Sequence, residues 1–284
     1  RTKMIKKVII SIFILLSLNC SLFLPGAYSV DFSVGAYTFL AWWQPAWRNH
    51  VDNFQSDPLF MWGPNASMTV FDDFTLSLLY LSNSLNQADA SFESGGTGTH
   101  GDFTLEFDTK IDRQDADFSI TYRINSNFRI FVGYKMMEYT EGGGGGETDA
   151  DITIIGSASY TLNTIDAMFS SCSGPGAGVS FILPLSDAFY LNLGTSLVIM
   201  ETELEVFSFS DWGGGNIGGD TSNGKYRAYG NNSSAGLIYY NPDIDITAAI
   251  GWRGQFLKYQ PLDGAEKLEN DIFQGMYANI SYLF

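Results

Sequence analysis

The chain has 284 residues, with 15 Lys and Arg against 31 Asp and Glu, two cysteines, two histidines and 15% aromatic residues. That much apolar and aromatic content excludes a disordered chain, and two cysteines exclude a disulfide scaffold or a four-thiolate metal centre. A net charge of −16 excludes a nucleic-acid binder held by phosphate contacts.

Arg1, Lys3, Lys6 and Lys7 form a positive start, followed by an apolar run from Val8 to Leu24 and then Pro25-Gly26-Ala27-Tyr28-Ser29. The small residues Ala27 and Ser29 fit a cleavage site, so residues 1–29 are expected to be a signal peptide and Val30 the mature start. The apolar run is interrupted by Ser and Asn and is short for about 30 Å of hydrocarbon, which argues against a membrane anchor. Cleavage would leave 11 basic against 31 acidic residues and Cys172 as the one thiol.

Beyond that segment, apolar residues alternate with polar or small ones, the period of strands with two unlike faces. Expected strands are 31–43, 67–81, 102–111, 115–124, 127–139, 151–162, 165–172, 176–183, 188–201, 226–240, 244–259 and 272–284: twelve, with ten or fourteen as alternatives. In 128–136 one face carries Phe128, Ile130, Val132, Tyr134 and Met136, the other Arg129, Phe131, Gly133 and Lys135. In 244–256 the apolar face carries Ile244, Ile246, Ala248, Ile250 and Trp252, opposite Thr247, Arg253 and Gln255. Gly174-Pro175-Gly176 reads as a turn or loop, and 82–100 as a long polar connection.

Asn125-Ser126-Asn127, Pro184-Leu185-Ser186-Asp187 and Asn241-Pro242-Asp243 are short connections that fall on one side, whereas Gln44–Asn65, Thr140–Asp151, Ser210–Gly224 and Gln260–Asp271 are long. Short turns at one end, long loops at the other and strands of about ten residues match a membrane-spanning barrel. Tyr122, Tyr134, Tyr239, Trp252 and Tyr282 then sit near the membrane interfaces.

The last eleven residues, Gln274 to Phe284, alternate Met276, Ala278, Ile280, Tyr282 and Phe284 against Tyr277, Asn279 and Ser281. This ending resembles the C-terminal strand of Gram-negative outer-membrane β-barrels. The resemblance implies an all-β, transmembrane antiparallel barrel over 30–284, located in the bacterial outer membrane. It also implies that Ile280, Tyr282 and Phe284 act as the signal read by the barrel-assembly machinery, with outer-membrane lipid and lipopolysaccharide as surroundings.

Chemistry-bearing motifs are scarce. His50 and His100 stand in polar connections without a Ser-His pattern, no His, Cys or acidic set has metal-ligand spacing, and Cys172 reads as an inert small residue. The chain is therefore expected to be no enzyme and to hold no cofactor or metal. Glu141 to Glu147 and Asp211 to Asp220 are Gly-rich, and with no strand-to-helix setting they read as flexible loops. Alternation assigns Glu106, Asp108, Lys110, Asp117, Arg123, Arg129, Lys135 and Arg253 to the lumen, since a charge on the lipid face is penalised.

Those charges lead to two expectations. The first is a monomeric channel of about twelve strands for passive diffusion of small hydrophilic solutes, cation-preferring because of its acidic loops. The alternative is a closed structural or adhesive barrel whose long acidic loops bind partners or divalent ions. A carrier of hydrophobic compounds is disfavoured by Glu106, Arg123, Arg129 and Arg253.

Overall fold

The computed structural model describes residues 31–46, 52–70, 73–85, 87–98, 101–141, 148–154, 160–164, 167–211, 217–262, 264 and 267–284. The expected signal peptide, His50 and His100 lie outside the described residues. Fourteen strands are seen: β1 (Asp31–Gln44), β2 (Asp52–Ser56), β3 (Leu59–Val70), β4 (Phe74–Ser82), β5 (Ala88–Gly98), β6 (Gly101–Arg123), β7 (Phe128–Glu141), β8 (Thr148–Ile154), β9 (Tyr160–Thr164), β10 (Ala167–Pro184), β11 (Phe189–Asp211), β12 (Ile217–Asn241), β13 (Ile246–Pro261) and β14 (Asn270–Leu283).

Ten of them close an antiparallel barrel in the order β10-β7-β6-β4-β3-β1-β14-β13-β12-β11, with β11 pairing back to β10. First and last strands meet over a ladder from Ser33↔Leu283 to Gln44↔Ile272. Closure leaves the ring no unpaired edge, as a sheet in hydrocarbon requires.

The other four strands carry the wall beyond the ring at one end. β4 and β5 pair with successive stretches of β6, as do β7 and β8, and β5 also pairs with β2. Of the expected strand numbers, twelve with ten or fourteen as alternatives, the barrel ring has ten staves, several of them very tall. Residues 102–111 and 115–124 are one 23-residue strand, β6, and 165–172 with 176–183 are one strand, β10. Conversely, 67–81 divides into β3 and β4, 151–162 divides into β8 and β9, β3 begins inside the expected loop 44–65, and β5 lies inside 82–100.

Register fixes the dimensions. Following paired residues from Phe32 through Met68, Leu76, Ile120, Val132, Ala177, Leu197, Asn231, Phe256 and Ile272 returns to β1 at Gln44, twelve residues further along. With strands about 4.8 Å apart and a rise of about 3.3 Å per residue, that stagger sets a tilt of about 40° and a backbone diameter of about 20 Å. Long side chains from opposite walls can meet across that width.

Four short connections, at 71–73, 124–127, 185–188 and 242–245, share one end with both ends of the barrel wall. Polar side chains fold them tightly. Asn125 Oδ1 accepts the N–H groups of Asn127 (2.9 Å) and Phe128 (2.8 Å), and Asn241 Oδ1 accepts that of Asp243 (3.0 Å). Asp245 takes the left-handed conformation at φ 52°, which Asp tolerates better than most residues.

The exterior is apolar. Near the short-turn end, Phe74 meets Tyr122 (4.9 Å between centroids), Phe128 meets Phe181 (4.8 Å) and Phe189 meets Tyr239 (5.1 Å), each pair tilted. Towards the other end Trp42 stacks on Trp252 (5.9 Å), with Phe60 and Trp62 exposed beside them. Phe32 and Trp42 are ten residues apart on β1, about 25 Å of height at this tilt, which matches the apolar band of a membrane barrel.

Candidate functional site in the barrel interior

Alternation along β6 turns Ile111, Arg113, Asp115 and Asp117 inward, and along β7 it does the same for Lys135, Met137 and Tyr139. Asp117 and Lys135 face each other across the β6–β7 ladder, with Lys135 Nζ 2.9 Å from Asp117 Oδ1 and 3.3 Å from Asp115 Oδ2. One step up the strand, Arg113 Nε lies 3.0 Å from Asp115 Oδ1. Arg253 approaches from β13, five strands from β6 in either direction and so on the opposite wall, and its Nη2 donates to Asp117 Oδ2 at 2.6 Å. Five charges of alternating sign, Arg113, Asp115, Lys135, Asp117 and Arg253, therefore run through the lumen and bridge its full width. Buried charges need such pairing, because removing them from water costs several kcal/mol each.

Above this chain, towards the long-loop end, the lumen is filled. Phe39, Leu59, Met61, Met200 and Leu257 are buried with Arg113, Asp115 and Lys135. Side chains from facing walls meet here as well: the Arg113 guanidinium lies 3.5 Å from the Phe273 ring centroid, Trp43 packs edge-on against Tyr139 at 5.0 Å, and Gln255 Nε2 donates to Met137 Sδ at 3.1 Å. Trp43 Nε1 donates to the buried Asp271 Oδ2 at 2.9 Å.

Below the charge chain the interior opens into a cavity of about 660 Å³. It reaches from Asp117, Lys135 and Arg253 at its roof to Ser33, Thr75 and Thr247 at the short-turn end, and its wall mixes Ser, Thr and Asn with apolar residues such as Leu79, Phe131 and Ile182. Arg129 stands in that wall without an acidic partner among the described residues, its Nε sealed from solvent and unbonded.

The residues expected in the lumen are therefore distributed unequally. Asp117, Lys135 and Arg253 come together in one network, and Arg129 lines the cavity. Arg123 is at the short-turn rim, 3.3 Å from Asp73, both side chains exposed. Lys110 is exposed on the opposite face of β6 from Asp117: its even position, shared with Phe118 and Ile120, follows from β6 being one strand and not two. Glu106 and Asp108 are in the upper part of β6, paired with Glu93 and Ser91 of β5, where side-chain positions lie outside the description. Sequence reasoning missed Arg113, Asp115 and Asp271. Arg113 falls at the expected break between 102–111 and 115–124 and Asp115 opens the second of those strands, although the 111-113-115-117 alternation carries straight through.

Ile280 and Tyr282 point outward on β14, and the Tyr282 and Phe284 rings meet at 4.8 Å beside Phe32.

No family model and no curated protein matches the chain. Similar solved structures include the outer-membrane protease OmpT from Escherichia coli, at 12% identity over 92% of this chain and 97% of that one, with a TM-score of 0.49. Neisserial surface protein A gives 12% identity over 90% and 99% with a TM-score of 0.32, and the attachment invasion locus protein Ail of Yersinia pestis 10% over 92% and 100% with 0.30. The fold is a closed antiparallel β-barrel with an apolar exterior. The closed ring and its apolar exterior suit a bilayer: each wall strand pairs with a neighbour on both sides, and the face left for the surroundings suits hydrocarbon.

Proposed function

We propose that the barrel rests closed to through-diffusion and works at its long-loop end, as a structural or adhesive outer-membrane protein. The carrying observation is the Arg253–Asp117 bridge across the full diameter, under a packed layer in which Met61 and Leu257 are wholly buried. A passive channel for hydrophilic solutes needs a continuous water path, and this layer occupies it. The principle that short turns face the periplasm sets the cavity on the periplasmic side and the extended β2–β5 and β8–β9 strands outside the cell. The strands that the acidic sequences 140–151 and 210–224 connect end on that side, and acidic residues suit divalent ions or basic partners. Ile280, Tyr282 and Phe284 belong to the same reading as the outward-facing assembly signal, and a monomer suffices for it.

Conductance across a planar bilayer tests this reading. Protein shown to be folded by a heat-dependent shift in gel mobility should give no discrete steps. Regular steps from the unaltered protein would overturn the closed reading and restore a diffusion channel.

A further inference from the structure

The cavity under the charge chain was not anticipated from sequence and is not required by a closed barrel. At about 660 Å³ it is in the size range of small-molecule sites, which run from about 300 to 1,000 Å³. Its wall is mixed: beside Leu79, Phe131 and Ile182, the residues Ser77, Ser180, Ser234 and Asn192 present hydroxyls and an amide, the chemistry that meets the hydroxyls and apolar ring faces of a sugar. Its charge is one-sided. Arg123 and Arg129 are direct cross-strand neighbours, yet Asp73 answers only Arg123, so Arg129 contributes an uncompensated positive charge to the wall. Three buried polar atoms of lining residues lack partners: Arg129 Nε, a donor, and Asn65 Oδ1 and Asn232 Oδ1, both acceptors. An anion in the cavity would supply Arg129 with the acidic partner that no described residue provides.

We infer that this periplasm-facing cavity is a binding site for a small polyhydroxylated anion, of the sugar-phosphate or sugar-acid class, with Arg129 holding the anionic group and the Ser and Asn wall holding the hydroxyls. The orientation of the cavity rests on the outer-membrane reading above; binding itself does not depend on whether the lumen conducts.

The test is titration calorimetry on the folded protein in detergent micelles, with glucose 6-phosphate as probe and glucose and inorganic phosphate separately as its two halves. Saturable binding of the whole probe, tighter than either half, is expected. Arg129→Gln should weaken the probe by about tenfold, the worth of one charge-assisted pair, and leave glucose unaffected. Ser77→Phe, which puts a ring into the cavity beside its hydroxyl-bearing wall, should weaken binding of both the probe and glucose while the heat-shifted gel mobility persists, and it carries the test alone if Arg129→Gln fails to refold. No saturation, or binding indifferent to both substitutions, would overturn the site. Equal affinity for inorganic phosphate would overturn its hydroxyl-binding half. Conductance is not read, so the closed-barrel proposal stands or falls separately.

Discussion

Above the Arg253–Asp117 pair the barrel interior is solid, and below it the interior is hollow, although the same ten strands build both halves. The inward residues change size along each strand. β1 passes from Ser33 and Gly35 through Tyr37 to Phe39 and Trp43, and β11 from Asn192, Gly194 and Ser196 to Val198 and Met200. β12 and β14, running the other way, pass from Tyr226 and Phe273 in the solid half to Ser234 and Ser281 in the hollow half, with Ile238 and Leu283 beyond them at the short-turn end. No such gradient exists outside, where both halves carry large apolar groups. Lipid demands one chemistry over the whole exterior, whereas the lumen is filled or emptied by side-chain volume alone. Strand pairing is thus separable from what the barrel contains.

The largest effect is expected where that boundary is charged. Asp117→Ala removes the carboxylate shared by Lys135 and Arg253 and leaves one buried guanidinium without its acid. Breaking a buried pair in this way should cost about 3–5 kcal/mol. The denaturant midpoint of the gel-mobility shift would show it, and an unchanged midpoint would mean that water already reaches the network. Next comes the contrast between the halves. Leu257→Ala in the solid half leaves a void and should cost about 2–5 kcal/mol. Ser234→Ala, on the cavity wall, should cost less than about 0.5 kcal/mol, since nothing packs on it from the lumen side. Equal costs would mean that the cavity is closed by side-chain packing in the membrane.

The outward half of the pattern was legible in sequence because lipid enforces it: the Phe128–Met136 and Ile244–Trp252 faces are external as alternation required, and the expected short turns all join neighbouring staves. Strand number was not legible, for two physical reasons. Strands continue past the membrane as the β2–β5 and β8–β9 extensions, where no hydrocarbon requirement sharpens the two faces. Breaks were also inferred from local composition that the ladder overrides. Gly174-Pro175-Gly176 reads as a turn, yet β7 pairs straight through it, and the β11 ladder skips Gly174 and Pro175, so the missing proline N–H falls where no bond is asked of it. Gly174 is needed there because a Cβ would strike the Ile199 carbonyl. Within the lumen, residue type told which groups are charged but not their neighbours: Asp117 and Arg253 are 136 residues apart and meet only because ten strands of this stagger set their walls opposite.

The smallest effect isolates environment from chemistry. Arg123–Asp73 joins the same two functional groups as Arg253–Asp117, at 3.3 Å, but its side chains are 43% and 48% exposed at the short-turn rim. Water screens the attraction and already solvates both ions, so Arg123→Gln should cost about 0–1 kcal/mol and lose even that as salt is raised. Asp117→Ala should lose a smaller share of its cost in the same salt, because Arg253 is only 16% and Lys135 only 5% exposed. If the two substitutions responded alike to salt, the lumen at the level of Asp117 would be as wet as the rim. The boundary between solid and hollow halves would then lie higher, at Arg113 and Phe273.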